Sequence, residues 1–122
     1  MKIILLADDE AYLRLLVHTT LANPAYRILE ATDGTQALAL ARTEHPDLLV
    51  LDWMMPGLSG LAVAQMVRRD PATAHIPIIM LTAKGQAIDQ ALGHAIGVQA
   101  YLIKPFSPLA LLEQVQAILQ AP

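Results

Sequence analysis

The 122-residue sequence contains no cysteine, which excludes both a disulfide framework and a thiolate metal site. Charge is sparse: Asp, Glu, Lys and Arg make up 16% of the chain, against about 25% in an average globular domain. With 55% apolar residues, some apolar surface is left to await a partner. There is no run of lysines and arginines, and the formal net charge is -3. The basic stripe that tracks a phosphate backbone is therefore missing, and direct nucleic-acid binding is not expected. Long hydrophobic runs are missing too. The opening stretch from Met1 to Ala7 runs into Asp8 and Asp9, too soon for a signal-peptide core, and nothing approaches the roughly 20 apolar residues of a membrane span. A soluble, cytoplasmic protein without a membrane partner is expected. At this length one core must serve the whole chain, so residues 1–122 are read as a single domain.

What is present is a rhythm. Short apolar runs recur at Ile3 to Ala7, Leu48 to Leu51, Ile78 to Leu81 and Ala100 to Ile103, and a more alternating run extends from Tyr26 to Ala31. These predict five strands, with Tyr26 to Ala31 at an edge. Between them, apolar residues fall at helical spacing: Leu13, Leu16, Val17 and Leu21; Leu38 and Ala41; Val63, Met66 and Val67; Ile88, Ala91, Leu92 and Ala95; Leu112, Val115 and Leu119. Asn23-Pro24, His45-Pro46 and Asp70-Pro71 stand where the first three helices should stop. Asp33-Gly34 marks a helix start, and Ser107-Pro108 offers an N-cap with proline at the first helical position. Five β-α units predict an α/β fold, a parallel sheet joined by right-handed crossovers with helices on both faces.

The polar residues gather where the strands end. Asp8 and Asp9 follow the first strand, Asp52 the third, Thr82 the fourth and Lys104 the fifth, whereas the second ends in Ala31 and Thr32. In the strand order 2-1-3-4-5 of flavodoxin-like (βα)5 sheets, ligands bind at the carboxyl ends where the order reverses, between strands 1 and 3. All three acids converge there. Two unit charges about 4 Å apart repel by about 4 kcal/mol at an effective dielectric of about 20, so a cation is called for. Mg²⁺, a hard ion that binds through carboxylates plus phosphate, suits the oxygen donors, with Mn²⁺ as the alternative, and Lys104 adds a fixed positive charge. Acids, a hydroxyl and an amine together suit phosphoryl transfer, which depends on positioning and charge neutralisation. Taken singly, each has a plainer explanation: Asp8-Asp9 as a helix cap, Asp52 as a turn residue before Met55-Pro56-Gly57, Thr82 and Lys104 as loop residues. Their joint placement is what carries the argument.

Asp8-Asp9, the stretch Leu51-Asp52-Trp53-Met54-Met55-Pro56-Gly57 with Gly60 after it, Leu81-Thr82-Ala83, and Tyr101-Leu102-Ile103-Lys104-Pro105-Phe106 resemble, in order and spacing, the receiver domains of response regulators. The resemblance spans the chain. It implies that Asp52 is the phosphoacceptor, taking its phosphoryl group from a phosphohistidine on a partner histidine kinase or phosphotransfer protein. Asp9 and Asp52 would then bind Mg²⁺ directly, Asp8 through water, and the backbone carbonyl of Met54 would complete the protein ligands. Thr82, the N–H of Ala83 and Lys104 would contact the phosphoryl oxygens, and a cis bond is expected between Lys104 and Pro105. On phosphorylation Thr82 would move toward the new charge, and Tyr101 would rotate inward. The face formed by the fourth helix, fifth strand and fifth helix would then signal to a target protein or output domain. The chain would be a signalling phosphoacceptor that assists its own phosphorylation and dephosphorylation.

Met54 and Lys84 occupy positions that tune phosphate loss in such domains, and slow-to-moderate autodephosphorylation is expected. The output face is unusual in having one charged residue, Asp89, between Gln86 and Val98 and one, Glu113, from Ser107 onward, which favours apolar docking over a salt-bridged dimer. His18, His45, His75 and His94 are too dispersed for a local metal motif and are expected at the surface or as caps. Two rivals remain. A phosphate hydrolase of the haloacid dehalogenase type needs a second Asp two residues after the nucleophile, where Met54 stands. The other is a module on the same fold that binds partners without phosphorylation.

Overall fold

The computed structural model describes residues 1–83 and 97–120. The helix predicted around Ile88 to Ala95, with Lys84 and Asp89, lies outside the described residues. The chain runs through β1 (Lys2–Ala7), α1 (Ala11–Thr20), β2 (Tyr26–Ala31), α2 (Gly34–Glu44), β3 (Leu48–Asp52), α3 (Gly60–Arg69), β4 (Ile78–Ala83), β5 (Ala100–Lys104) and α4 (Pro108–Gln120). The five strands form one sheet in the order β2-β1-β3-β4-β5, and every pairing is parallel. This is the predicted flavodoxin-like arrangement, with Tyr26–Ala31 at an edge.

Side chains alternate across a strand, and each buried strand here supplies two layers. Leu5, Ala7, Leu49, Leu51, Ile78 and Met80 join Ala37, Leu38, Ala41, Val63, Ala64 and Val67 of α2 and α3 on one face. Ile4, Leu6, Leu48, Val50, Ile79 and Leu81 join Val17, Leu21, Leu111 and Val115 of α1 and α4, with the turn after α1, on the other. Burying strands on both faces explains why they read as continuous apolar runs.

The helix boundaries follow local chemistry. The Asp33 carboxylate accepts the N–H of Gln36 at 2.7 Å and the Ser59 hydroxyl that of Ala62 at 3.1 Å, each capping a free helix N-terminus. Ser107 caps α4 as expected, accepting from Ala110 at 3.3 Å. His45 closes α2 in the left-handed conformation (φ 47°), the predicted capping role for one histidine. Two details differ from expectation. Met66 is 37% exposed while Ala64 is buried, because Val63 and Val67 centre the buried face of α3 on the side toward Ala64. Leu111 rather than Leu112 is fully buried with Val115 in α4, since it shares a face with Val115 four residues on.

Candidate functional site

The strands run slightly further than their apolar runs, so Asp52 and Lys104 are the last residues of β3 and β5, and Thr82 the second last of β4. Extending the ladder binds these polar residues rigidly to the sheet instead of leaving them on loops. Asp52 pairs in register with Leu81, Thr82 with Ile103, and Ala83 with Lys104. Asp52 is also held from behind by α3. Gly60 donates its N–H to the carbonyl of Trp53 at 2.9 Å, and a Cβ there would collide with the backbone carbonyl of Asp52.

Asp8, just past β1, is fully buried. Its N–H donates to the carbonyl of Ala31 at 3.1 Å. One carboxylate oxygen accepts from the N–H of Glu10 at 2.9 Å, and the other meets Lys104 Nζ at 3.1 Å. Asp8 therefore turns the chain into α1 without capping it; Glu10 occupies the N-cap position and makes no side-chain cap bond. Lys104 Nζ also lies 3.1 Å from Asp52 Oδ1 and 3.8 Å from Glu10 Oε1. One ammonium on β5 thus bridges the acids at the ends of β1 and β3, across the intervening β4.

Burial, followed by the neighbouring Asp8 carboxylate, pushes the Asp52 carboxyl up from the ordinary 3.8 to about 6, against the pull of Lys104 and a backbone hydrogen bond from Met54. Burial works against the Lys104 ammonium, but Asp52 and Asp8 outweigh it and raise its pKa above the usual lysine value. Carboxylate oxygens of Asp8, Asp9 and Glu10 all lie within 4.8 Å of one another. Asp8 is buried within that group, and Asp9 and Glu10 are exposed. Glu10 escaped the sequence reasoning, although its place directly after the Asp pair, where the chain turns into α1, was the available signal.

Thr82 is fully buried, and its Oγ1 has no hydrogen-bond partner among the described residues. A buried hydroxyl left unsatisfied is costly and calls for a ligand or a function. The small Ala83 ends β4 with its side exposed. Tyr101, beside Met80 in the sheet, is half-buried against the α2 and α3 layer, and burial raises its phenol pKa. The Met54 side chain is 65% exposed. The Lys104–Pro105 bond is cis, as expected. Lys104 thus contacts both Asp8 and Asp52, with Asp9 beside Asp8 and Thr82 one strand position past the partner of Asp52.

Residues 4–116 match the model for the response regulator receiver domain. The chain belongs to that family. It is 44% identical over 119 residues to the phosphate regulon transcriptional regulatory protein PhoB of Pseudomonas aeruginosa, covering 98% of this chain and 52% of that protein. The chain spans about half the length of such curated relatives. A putative response regulator from Chloroflexus aurantiacus superposes with a TM-score of 0.90 at 32% identity, covering 98% of both chains. The Mn²⁺-bound form of response regulator Rcp1 superposes at 0.81 with 26% identity, covering 97% of this chain and 91% of that one. The chain is a receiver domain of two-component response regulators, a family of signalling phosphoacceptors. No described helix is long and apolar enough to cross a membrane.

Proposed function

We propose that Asp52 accepts a phosphoryl group from a phosphohistidine on a histidine kinase or phosphotransfer protein. The observation that carries this reading is the contact of Lys104 with both Asp52 and Asp8 at 3.1 Å, at the switch point between β1 and β3. The Asp52 oxygen forms the new P–O bond as the P–N bond to the donor breaks. The imidazole nitrogen keeps the electron pair and takes up a proton, leaving an aspartyl phosphate. Asp52 must be ionised to attack, and Lys104 favours that form. Thr82 Oγ1, buried and without a partner among the described residues, fits a phosphoryl oxygen, with the N–H of Ala83 and the Lys104 ammonium as the other donors.

The oxygen-only donor set fits a hard divalent cation, and the structural neighbour Rcp1 has a Mn²⁺-bound form. Asp8, Asp9 and Asp52, with the Met54 carbonyl, would hold Mg²⁺ or Mn²⁺, which supplies neutralisation of charge on the phosphoryl oxygens. Once the group is in place, Thr82 is drawn toward it and Tyr101, on the adjoining strand, follows inward. The surface around β5 and α4 then presents a new shape to a target protein or output domain. Residues 1–122 act as one receiver unit. Met54 shades the phosphoacceptor from water and slows phosphate loss.

The test follows Trp53, buried next to Asp52. Its fluorescence should change on adding Mg²⁺ and again with beryllofluoride, and acetyl phosphate should add one phosphoryl mass to the intact protein. Asp52→Asn should abolish the second change and the adduct. An adduct that persists in Asp52→Asn would reassign the acceptor. No adduct in the native protein would favour a module that binds without phosphorylation.

A further inference from the structure

Asp8 is fixed from a direction the sequence did not disclose. Arg14, on the first turns of α1, donates from its NH1 to the backbone carbonyl of Asp8 at 2.9 Å. The same guanidinium reaches the edge strand, where its Nε lies 3.3 Å from Glu30 Oε1. The other Glu30 oxygen is 3.0 Å from His18 Nδ1, so the carboxylate is held on both sides. Arg14 is only 18% exposed, which favours a defined geometry over a mobile surface pair. The Asp8 N–H is meanwhile tied to Ala31 on the same edge strand.

The peptide group is planar, so fixing a carbonyl oxygen fixes the plane that carries the next residue's N–H and N–Cα bond. The carbonyl that Arg14 holds belongs to the Asp8-Asp9 peptide. Its orientation sets where Asp9 starts, and Asp9 is the more exposed of the two acids, with no side-chain hydrogen bond or ion pair among the described residues to place it. We propose that Arg14, braced by Glu30, is a positioning residue that orients the Asp8-Asp9 peptide and thereby raises the affinity of the acidic cluster for a divalent cation. This rests on reading the cluster as a cation site. Groups behind metal ligands commonly contribute about 10- to 100-fold in affinity when removed. A backbone anchor shared with the β1–β2 ladder belongs at the lower end, near tenfold.

The sign of the effect separates this role from simple electrostatics. As a mere positive charge, Arg14 would repel an incoming cation, and its removal would tighten binding. As a positioning group, its removal loosens binding despite the lost repulsion. Mg²⁺ titrations of the full chain, read by Trp53 fluorescence well below the thermal midpoint, should show about tenfold weaker affinity in Arg14→Met. Arg14→Lys keeps the charge but lacks the fork that joins the Asp8 carbonyl to Glu30, so it should not restore affinity. Glu30→Gln should weaken binding less, by roughly threefold, because the amide oxygen still accepts a hydrogen bond. Thermal midpoints in chelator report folding separately. Equal or tighter Mg²⁺ binding in Arg14→Met, or full rescue by Arg14→Lys, would overturn the inference while leaving the proposed function intact. A native protein that does not bind Mg²⁺, checked by the Mg²⁺ dependence of its thermal midpoint, would remove both.

Discussion

Replacing Asp52 by Asn should stabilise the cation-free protein at neutral pH, although it removes the proposed phosphoacceptor. The Asp52 carboxyl is pushed from the ordinary 3.8 to about 6, chiefly by burial and then by Asp8. That shift of about 2 units, at about 1.36 kcal/mol per unit, is worth about 3 kcal/mol. The sign follows from the direction. A group whose pKa is raised on folding contributes stability that is intact below its unfolded value and lost as pH rises through its folded value. Asp52 therefore costs nothing below 3.8 and its full penalty above about 6. Asn mimics the neutral acid at every pH. Its advantage should be near zero close to pH 4, grow between pH 4 and 6, and level off at about 3 kcal/mol, which is roughly 10 °C in thermal midpoint for a domain of this size. Lys104 keeps Asp8 as a partner at 3.1 Å, so the substitution does not strand a buried ammonium. Urea unfolding in chelator from pH 4.5 to 8, followed by circular dichroism, measures the difference. Mg²⁺ should narrow it, because a cation compensates the ionised form in the native protein alone. An Asn variant that is less stable at pH 7.5, or a difference that does not vary with pH, would refute the argument.

Two further outcomes are expected. Thr82→Val replaces a hydroxyl that has no partner among the described residues, so stability without a phosphoryl mimic should hold or rise by up to about 1 kcal/mol, whereas the Trp53 response to beryllofluoride should weaken; a large loss of stability in urea would show that Oγ1 is satisfied after all. Gly60→Ala forces a methyl group into the carbonyl of Asp52 and should cost about 3 kcal/mol, the upper range for overpacking. Chemical denaturation reads the loss, and a neutral result would mean that α3 moves away from β3 freely.

The sheet was legible because burial on both faces writes each inner strand as an apolar run, and the alternating run, Tyr26–Ala31, marked one edge; β5, the other edge, also read as an apolar run although its residues are at most partly buried. Asp8, Asp52, Thr82 and Lys104 were legible because parallel strands deliver their carboxyl ends to one side, so a polar residue closing an apolar run announces its place. Other features depend on contacts that no local pattern encodes. Arg14 meets Glu30 across the gap between α1 and β2, and neither neighbour's spacing hints at the other. That Lys104 would bridge Asp8 and Asp52, rather than approach one of them, required the side-chain geometry at three strand ends. The misplacement of Met66 arose from treating an apolar residue at helical spacing as buried, when the buried face of α3 runs through Val63, Ala64 and Val67.

The same residues explain why such a site can act as a switch. Asp52 is ionised at neutral pH against the pressure of burial and of Asp8, and Thr82 carries a fully buried hydroxyl with no partner among the described residues. Each is a cost borne by the resting protein, with Lys104 offsetting the charge only in part. On the proposed reading, a cation among the acids would relieve the first and a phosphoryl oxygen near Thr82 the second. The modified state would then gain interactions that the resting state leaves unmade, at the ends of β3 and β4, strands that pair with one another and, through β4, with β5 and Tyr101. Differential stabilisation of this kind is what a ligand or modification needs in order to shift a conformational equilibrium. A version of the chain optimised for stability, with Asn at 52 and Val at 82, would be sturdier and would have nothing left to switch.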